Sequence, residues 1–427
     1  MSLAEAVRIW TAGVQSVAGN RLIDDQVLVS DDGHLTIEHW RVDLRDLDRC
    51  LIVGGGKAAG PMATTLATKI AKHLPVRGRV NVVGSTDQSV EGVEIIGCRP
   101  IGSNHPTERV VESTGEMLSL LDRADNRTLV LFVVTGGGSS LLCRPRRGVS
   151  LADYVLQTAA LSDAGADIAA INRLRCTLDT VKGGGMARRL RSGGGADCPA
   201  AVLLISDVVG DALPVIASGP VLDPDVSPSR RIPHFVLGNN AVAVDEAGIM
   251  AESMGRNHLM HCVTGEPTTA DQTGIALARL MRSLHDQGNA RRHDAVITGG
   301  EPTVVLCPPD VRGRGGRNGQ LVLAAYVELI RGLGGDGRQT SDMMIPDMTI
   351  LSGGTDGEDG TSDSAGAGFD RTIHHRIIES AMDPIDYLRR NDSHRFFDRV
   401  GGLIRTGPTG TNVCDVRVGL VGPEVPG

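Results

Sequence analysis

Residues 49–63 read RCLIVGGGKAAGPMA: the apolar run Cys50 to Val53 enters Gly54-Gly55-Gly56-Lys57, and a segment of helical character starts near Ala58. An apolar run closed by glycines and followed by a helix is a buried strand entering a tight turn. Further short apolar runs follow at Arg79 to Val83, Thr128 to Val134, Ala201 to Ile205, Phe235 to Leu237, Ala295 to Thr298 and Met348 to Leu351. Stretches with helical periodicity separate most of them. Strands alternating with helices indicate an α/β fold with parallel sheets, in which ligands bind beyond the carboxyl ends of the strands. Glycine clusters follow three of the runs directly: GGGKAAG after LIV, TGGGSS after LFVV, and SGGTDGEDG after MTI.

Composition points the same way. The 427 residues are 41% hydrophobic but only 2% aromatic, so the cores are built from Val, Leu, Ile and Ala, as in helix-flanked parallel sheets. A chain of this length exceeds one hydrophobic core, and two domains are expected. The stretch LDPDVSPSRRIP, rich in Pro, Asp and Ser up to Pro233, is the best boundary, giving domains of 1–232 and 233–427. Gly332 to Asp347 reads as a surface loop inside the second half. The net charge of -8 and the lack of a basic stripe argue against nucleic acid. Eight scattered cysteines without CxxC or CxxH spacing argue against structural zinc and against a disulfide framework. Near the N-terminus Leu3, Val7, Trp10, Val14 and Val17 recur at helical spacing beside Glu5, which predicts a packing helix and not a signal peptide. No apolar run is long enough to span a membrane, and a cytoplasmic enzyme is expected.

Several segments carry chemistry. Backbone amides at the start of a helix, with Lys57 as a mobile cation, would suit phosphate or carboxylate at Gly54, Gly55 and Gly56. Gly54, Gly56 and Ala59 also fit G-x-G-x-x-A, the dinucleotide fingerprint, but the acid expected after the next strand is replaced by Gly84, Ser85 and Thr86. TGGGSSLLCRP repeats the turn at Gly136, Gly137 and Gly138, with Ser139 and Ser140 placed to cap a helix or to bond an oxyanion. Asp207 and Asp211 follow a buried strand, where a carboxylate could hold Mg²⁺ or accept a proton, Asp207 being the better candidate. In the second half Glu301 follows a strand, and Arg314 and Arg317 lie among glycines in GRGGRN, a pattern that suits a phosphate clamp. SGGTDGEDGTSDSAGA is dense in carboxylates, Asp356 among them, but fails the EF-hand spacing. TGPTGTNVCDV adds a glycine turn with Asn412 before the last strand.

In order, GGGKAAGPMA, TGGGSSLL, VKGG, SDVVGDALPVIASGPV, GGEPTVVL, GRGGRN, GGTDGEDGTSDSAGA, NDSHRFF and TGPTGTNVCDV resemble glycerate 2-kinase of the MOFRL type, from about Asp48 to Val416. Members of that family are sometimes labelled hydroxypyruvate reductases. The resemblance implies an N-terminal Rossmann-like, mostly parallel sheet and a C-terminal MOFRL-type α/β domain, with the active site in the cleft between them. It implies ATP-dependent phosphorylation of the 2-hydroxyl of D-glycerate or a related short hydroxy acid, with Mg²⁺. Its partners are then that acid and a nucleotide, with a homodimer as the assembly to test. By the same resemblance Lys57 neutralises the transferring phosphate, Arg317 is the loop arginine, and Asp207 and Asp356 are the acidic positions for metal or base work. Gly54 to Gly56, Gly136 to Ser140, Glu301, Arg314, Asn318 and Asn412 would line the nucleotide. Cys176, Thr177 and Gln320 depart from the family pattern. These departures leave a ligand-binding relative without turnover as one alternative, and the G-x-G-x-x-A match leaves an NAD(P)H-dependent hydroxypyruvate reductase as another.

Overall fold

The first helix, α1 (Leu3–Ser16), buries Ile9, Trp10 and Val14. Its anchors lie far along the chain: Trp10 Nε1 donates to the Gly353 carbonyl at 3.1 Å, and the Leu3 amide donates to Asp370 Oδ2 at 2.9 Å. A computed structural model of the protein describes residues 1–223, 231–261, 268–332 and 345–422, and all of its structure is stated for those residues. The chain divides into two units, one of Val17–Asn239 with Gly410–Val413, the other of Met1–Ser16, Asn240–Thr409 and Cys414–Gly427. Neither is continuous in sequence. The boundary expected at 232/233 contrasts with this division at 239/240, and α1 belongs with the later residues. Of the expected linker, residues 224–230 lie outside the described residues, as do residues 333–344 of the expected surface loop.

The first unit opens with α2 (Gly19–Gln26) and an antiparallel meander of β1 (Val27–Val29), β2 (His34–Ile37) and β3 (Trp40–Asp43). Its main sheet contains β4 (Arg49–Gly55), β5 (Val76–Val83), β6 (Gln88–Val90), β7 (Val93–Arg99), β8 (Thr128–Thr135), β9 (Ala200–Ile205) and β10 (His234–Gly238). The order is β10-β9-β8-β4-β5-β7-β6, parallel throughout except for the edge strand β6. Central strands covered on both faces need apolar residues at every position, and β8 is buried along its full length. The crossover segments form α3 (Ala59–Ile70), α4 (Glu108–Leu121), the single turn α5 (Gly138–Leu141), α6 (Leu151–Asp163), α7 (Ile168–Leu178) and α8 (Gly185–Ser192).

The second unit adds α9 (Asn240–Ser253), β11 (His258–His261), α10 (Ala270–Asp286), β12 (Ala295–Gly300), α11 (Arg317–Arg331), β13 (Met348–Gly354) and β14 (Gly366–Phe369). It ends with α12 (Arg371–Ser380), α13 (Pro384–Arg389), α14 (Ser393–Val400), β15 (Leu403–Ile404) and β16 (Asp415–Val421). Its sheet runs β11-β12-β16-β13-β14-β15. Here the expectation of parallel sheets is corrected, because only β11 and β12 pair in parallel among the described residues and the other pairings are antiparallel. The cause is local. The segment 355–365, rich in Gly, Asp and Ser, forms no helix, so β13 turns directly into β14 instead of crossing over, and β16 fills the place between β12 and β13. Helix α11 is buried on nearly every side, packing Leu321, Ala325, Tyr326 and Leu329 into the core of this unit. Among the described residues no helix is long and apolar enough to cross a membrane, and the described cysteines are all free thiols.

Candidate active site

The turn after β4 is built differently from the anion cradle that its sequence suggests. A Cβ on Gly54 would stand 1.9 Å from the Val133 carbonyl oxygen, and one on Gly56 2.1 Å from Thr135 Oγ1. Glycine is required here because β4 runs against β8, and no dinucleotide is needed to explain the pair. The amides are also occupied: Gly56 donates to Asn81 O (3.1 Å), Lys57 to Gly136 O (2.8 Å), Ala58 to Thr135 Oγ1 (3.1 Å) and Ala59 to Gly56 O (3.3 Å). The Gly56 amide is thus engaged within the fold, and packing against β8 accounts for Gly54 and Gly56. What the turn delivers is the Lys57 side chain.

That side chain lies along Gly137, where a Cβ would meet Lys57 Cγ at 3.4 Å and Arg99 Nη2 at 4.0 Å. A Cβ on Gly136 would meet Asp207 Oδ2 at 2.6 Å and Asn412 Nδ2 at 2.7 Å, and Asn412 donates to Asp207 at 3.2 Å. Two cations and a carboxylate therefore converge on the glycine turn that follows β8. Lys57, Arg99, Gly136 and Asp207 lie at or just past the carboxyl ends of β4, β7, β8 and β9, the end of a parallel sheet where ligands gather. Asp211, the other acid of that segment, takes a positive φ of 52° and accepts from Asn239 Nδ2 at 2.6 Å.

Buried groups hold the turn from behind. Arg99, 2% exposed, donates through Nη1 to Ser140 Oγ at 2.8 Å and to Asn104 Oδ1 at 3.1 Å. Ser140 is thereby a support, its hydroxyl also donating to Gly137 O at 3.1 Å. Lys182, 1% exposed, donates to Ser139 O at 2.7 Å and to Ala217 O at 3.3 Å. Burial brings its pKa down to about 8. Ser139 and Ser218 hydroxyls lie 3.0 Å apart, and Ser218 donates to Asn172 Oδ1 at 2.8 Å. Ala217 and Ser218 both take positive φ, 51° and 63°, a conformation that non-glycine residues hold only when their surroundings impose it.

In the second unit Arg317, at the first position of α11, makes a two-pronged bond to Asp415 (Nε to Oδ2 2.6 Å, Nη2 to Oδ1 2.7 Å) and an ion pair to Glu301 at 3.1 Å. Burial works against its charge, but Asp415 and Glu301 outweigh that and hold its pKa well above the usual arginine value. Asp359 accepts from the Asn318 and Gly319 amides at 2.8 and 2.9 Å and so caps the helix. Burial pushes its pKa up to about 6 against those two bonds. A Cβ on Gly316 would strike Asp359, so the glycine-rich loop is shaped by close packing. Asp356 Oδ1 accepts from the Glu358 amide at 3.0 Å; Gly354 lies beside it, where a Cβ would be 2.9 Å from Asp356 Oδ1 and 3.5 Å from Asp415 Oδ1.

Two of the expected site residues are engaged inside this unit. Asn318 is fully buried and accepts from Ser352 Oγ, so its side chain braces α11 from inside. Arg314 pairs with Asp363 at 3.3 Å, a carboxylate that also takes His394 at 2.6 Å and Arg405 at 3.3 Å, so it belongs to a surface network and the Arg314–Arg317 clamp is not formed as a pair. Among the described residues no group of three or more His, Cys, Asp or Glu side chains is placed to hold a metal ion.

The domain of unknown function DUF4147 matches residues 5–236 and the MOFRL family matches residues 294–415. The D-glycerate 2-kinase of Thermotoga maritima is 32% identical over 88% of this chain and 91% of its own length. The chain belongs to the glycerate 2-kinase family. A crystal structure of the Thermotoga maritima glycerate kinase superposes with a TM-score of 0.77 at 30% identity, covering 98% of this chain and 99% of that one. Another member of the glycerate 2-kinase family, from Pyrococcus horikoshii, is 27% identical over 89% of this chain and 98% of its own. A protein of Agrobacterium vitis, 32% identical over 88% of this chain and all of its own (100%), carries a provisional hydroxypyruvate reductase name.

Within each unit, the residues that brace the candidate side chains were less legible in the sequence than the candidates themselves. Arg99 closes the apolar run Val93–Arg99 before Pro100, a position after a strand end that could have been noticed. Lys182 and Asp415 stand inside the segments VKGG and TGPTGTNVCDV, but nothing local tells a buried charge from a solvated one. The departures are also placed. Cys176 Sγ would stand 2.9 Å from a Cβ on Gly183, the neighbour of Lys182. Thr177 bonds within its own helix, to Leu174 O at 2.7 Å, and Gln320 is a buried tether to Asp271 (2.9 Å) and Leu388 O (3.1 Å).

Proposed function

We propose that the chain transfers the terminal phosphoryl group of ATP to the 2-hydroxyl of D-glycerate, giving 2-phosphoglycerate. The convergence of Lys57, Arg99, Asp207 and Asn412 on the turn Gly136 to Gly138 supports this reading most directly. Phosphoryl transfer needs little covalent chemistry from the protein; it needs cations and donors aimed at phosphate oxygens, and a carboxylate within reach of the attacking hydroxyl. Lys57 would neutralise the transferring group. Asp207, oriented by Asn412, would accept the hydroxyl proton. Ser139 and the glycine amides around it would bond phosphate oxygens. Arg317, fixed by Asp415 and Glu301, would present its remaining N–H edge to an anionic group.

Mg²⁺ suits this donor set, since that ion is held by one or two carboxylates together with phosphate oxygens. Asp207 is the carboxylate at the glycine turn that would contact it, and bound there it would supply charge neutralisation to the phosphate chain. Roles for the protein do not depend on that ion alone: Lys57 and Arg99 already place two cations at the turn. The reductase alternative loses its motivating feature, because Gly54 and Gly56 are accounted for by the approach of β8. We place the enzyme in the cytoplasm, a setting that suits its free cysteines.

The test is direct. Purified protein with D-glycerate and Mg-ATP should form 2-phosphoglycerate, detected by coupling through enolase and pyruvate kinase, and hydroxypyruvate with NADH or NADPH should leave the absorbance trace flat. No product with D-glycerate or any of a panel of short hydroxy acids would sink the proposal.

A further inference from the structure

The first unit contains a cavity of about 1080 Å³ whose lining shares no residue with the glycine turns. Its walls are one face of α4 through Val111, Gly115 and Leu118, the loop of residues 144–149, the first residues of α6, and α8 from Gly185 to Ser192. Five arginines line it, Arg144, Arg146, Arg147, Arg188 and Arg189, against the single acid Glu108. The chain as a whole carries a net charge of -8, so this is a local inversion of its charge.

Two of the five are answered from outside the lining: Arg188 by Asp223 at 3.3 Å and Arg189 by a two-pronged pair with Asp122. Among the described residues the other three have no acidic partner. Arg144 donates to Val111 O at 3.1 Å and Arg146 to Cys176 O at 3.2 Å, both neutral acceptors. Arg147 makes no hydrogen bond or ion pair to the described residues. Guanidinium groups gathered around one concave space repel one another, and the arrangement is relieved when an anion enters. Arginine offers planar, two-pronged recognition to phosphate and carboxylate alike.

The rest of the lining fits the same kind of guest. Ser150, Thr180 and Ser192 add hydroxyl groups, and Val111, Leu118 and Val149 add apolar surface. Gly115 has a place in this: a Cβ there would lie 3.0 Å from Arg144 Nη1, so glycine lets the guanidinium lie against α4. The volume is at the upper end of small-molecule sites, roughly 300–1,000 Å³. We infer that this cavity binds a small polyanion carrying two or more phosphoryl or carboxylate groups, at a site separate from the one where phosphoryl transfer is proposed.

The experiment is calorimetric titration at physiological ionic strength, with inorganic pyrophosphate and citrate as probes, into wild type, Lys57→Ala and the double variant Arg146→Ala/Arg147→Ala. Both arginines are exposed, so the double variant should fold, and an unchanged melting temperature checks this. At least one probe should bind saturably to wild type and to Lys57→Ala within about twofold, and at least tenfold more weakly to the double variant, the loss expected for charge-assisted bonds worth at least about 1.4 kcal/mol together. Binding of pyrophosphate alone assigns phosphoryl groups; binding of citrate alone assigns carboxylates. No saturable binding of either probe, equal affinity in wild type and double variant, or binding lost only in Lys57→Ala would overturn the inference.

Discussion

Arg317 keeps its charge in a mostly buried place because two carboxylates face it, and they are not equivalent. Asp415 is fully buried whereas Glu301 is about half exposed, with side-chain exposures of 0% and 46%. Removing one partner of a buried ion pair leaves the other uncompensated, so Asp415→Asn should cost about 3 kcal/mol in urea denaturation. Glu301→Gln should cost less than about 1 kcal/mol, as exposed pairs do. Equal costs would mean that Asp415 does not carry the pairing. At the glycine turn the corresponding residue is Lys57. Lys57→Ala should lower kcat/KM for D-glycerate by at least about 100-fold, the scale of one lost transition-state charge contact, while the melting temperature stays near wild type. Retained activity would remove Lys57 from the chemistry.

Strand β4 shows what a sequence conveys about an element and what it withholds. Its apolar run, its glycine end and the helix after it were legible, because strand and helix periodicities are local properties. The purpose of its glycines was not: Gly54 and Gly56 look like a ligand cradle until β8 is placed beside them, and that neighbour is remote in the chain. Adding a methyl group at Gly54, which would meet the Val133 carbonyl at 1.9 Å, should therefore force β4 from β8. We expect Gly54→Ala to cost about 3 kcal/mol or more, read as a large fall in melting temperature; a near-neutral result would mean that the strands yield easily. The same limit explains the second sheet. Apolar runs at Ala295 to Thr298 and Met348 to Leu351 marked its strands, but strand direction depends on whether the intervening segment forms a helix. The acidic glycine-rich stretch after β13 looks like a metal loop in composition, but its bearing on the fold is that it forms no helix.

For the whole molecule, the stability curve against pH should carry the signature of Asp359. Its folded pKa of about 6 lies above the unfolded value of 3.8, so its contribution is fully present below pH 4 and is lost as pH rises through 6. A shift of about two units corresponds to about 3 kcal/mol. Denaturation at a series of pH values should therefore show wild type losing stability relative to Asp359→Asn between pH 4 and 6, with a constant difference above pH 7. A difference that grows in favour of wild type across that range would mean that the Asn318 and Gly319 amides hold the anion more strongly than burial penalises it. Helix α1 has a consequence on another axis, that of synthesis. Trp10 needs the carbonyl of Gly353, and the chain grows at roughly 5–20 residues per second. The buried face of α1 must therefore wait on the order of half a minute for the strand that accepts the Trp10 bond, and it is open to chaperones for that interval.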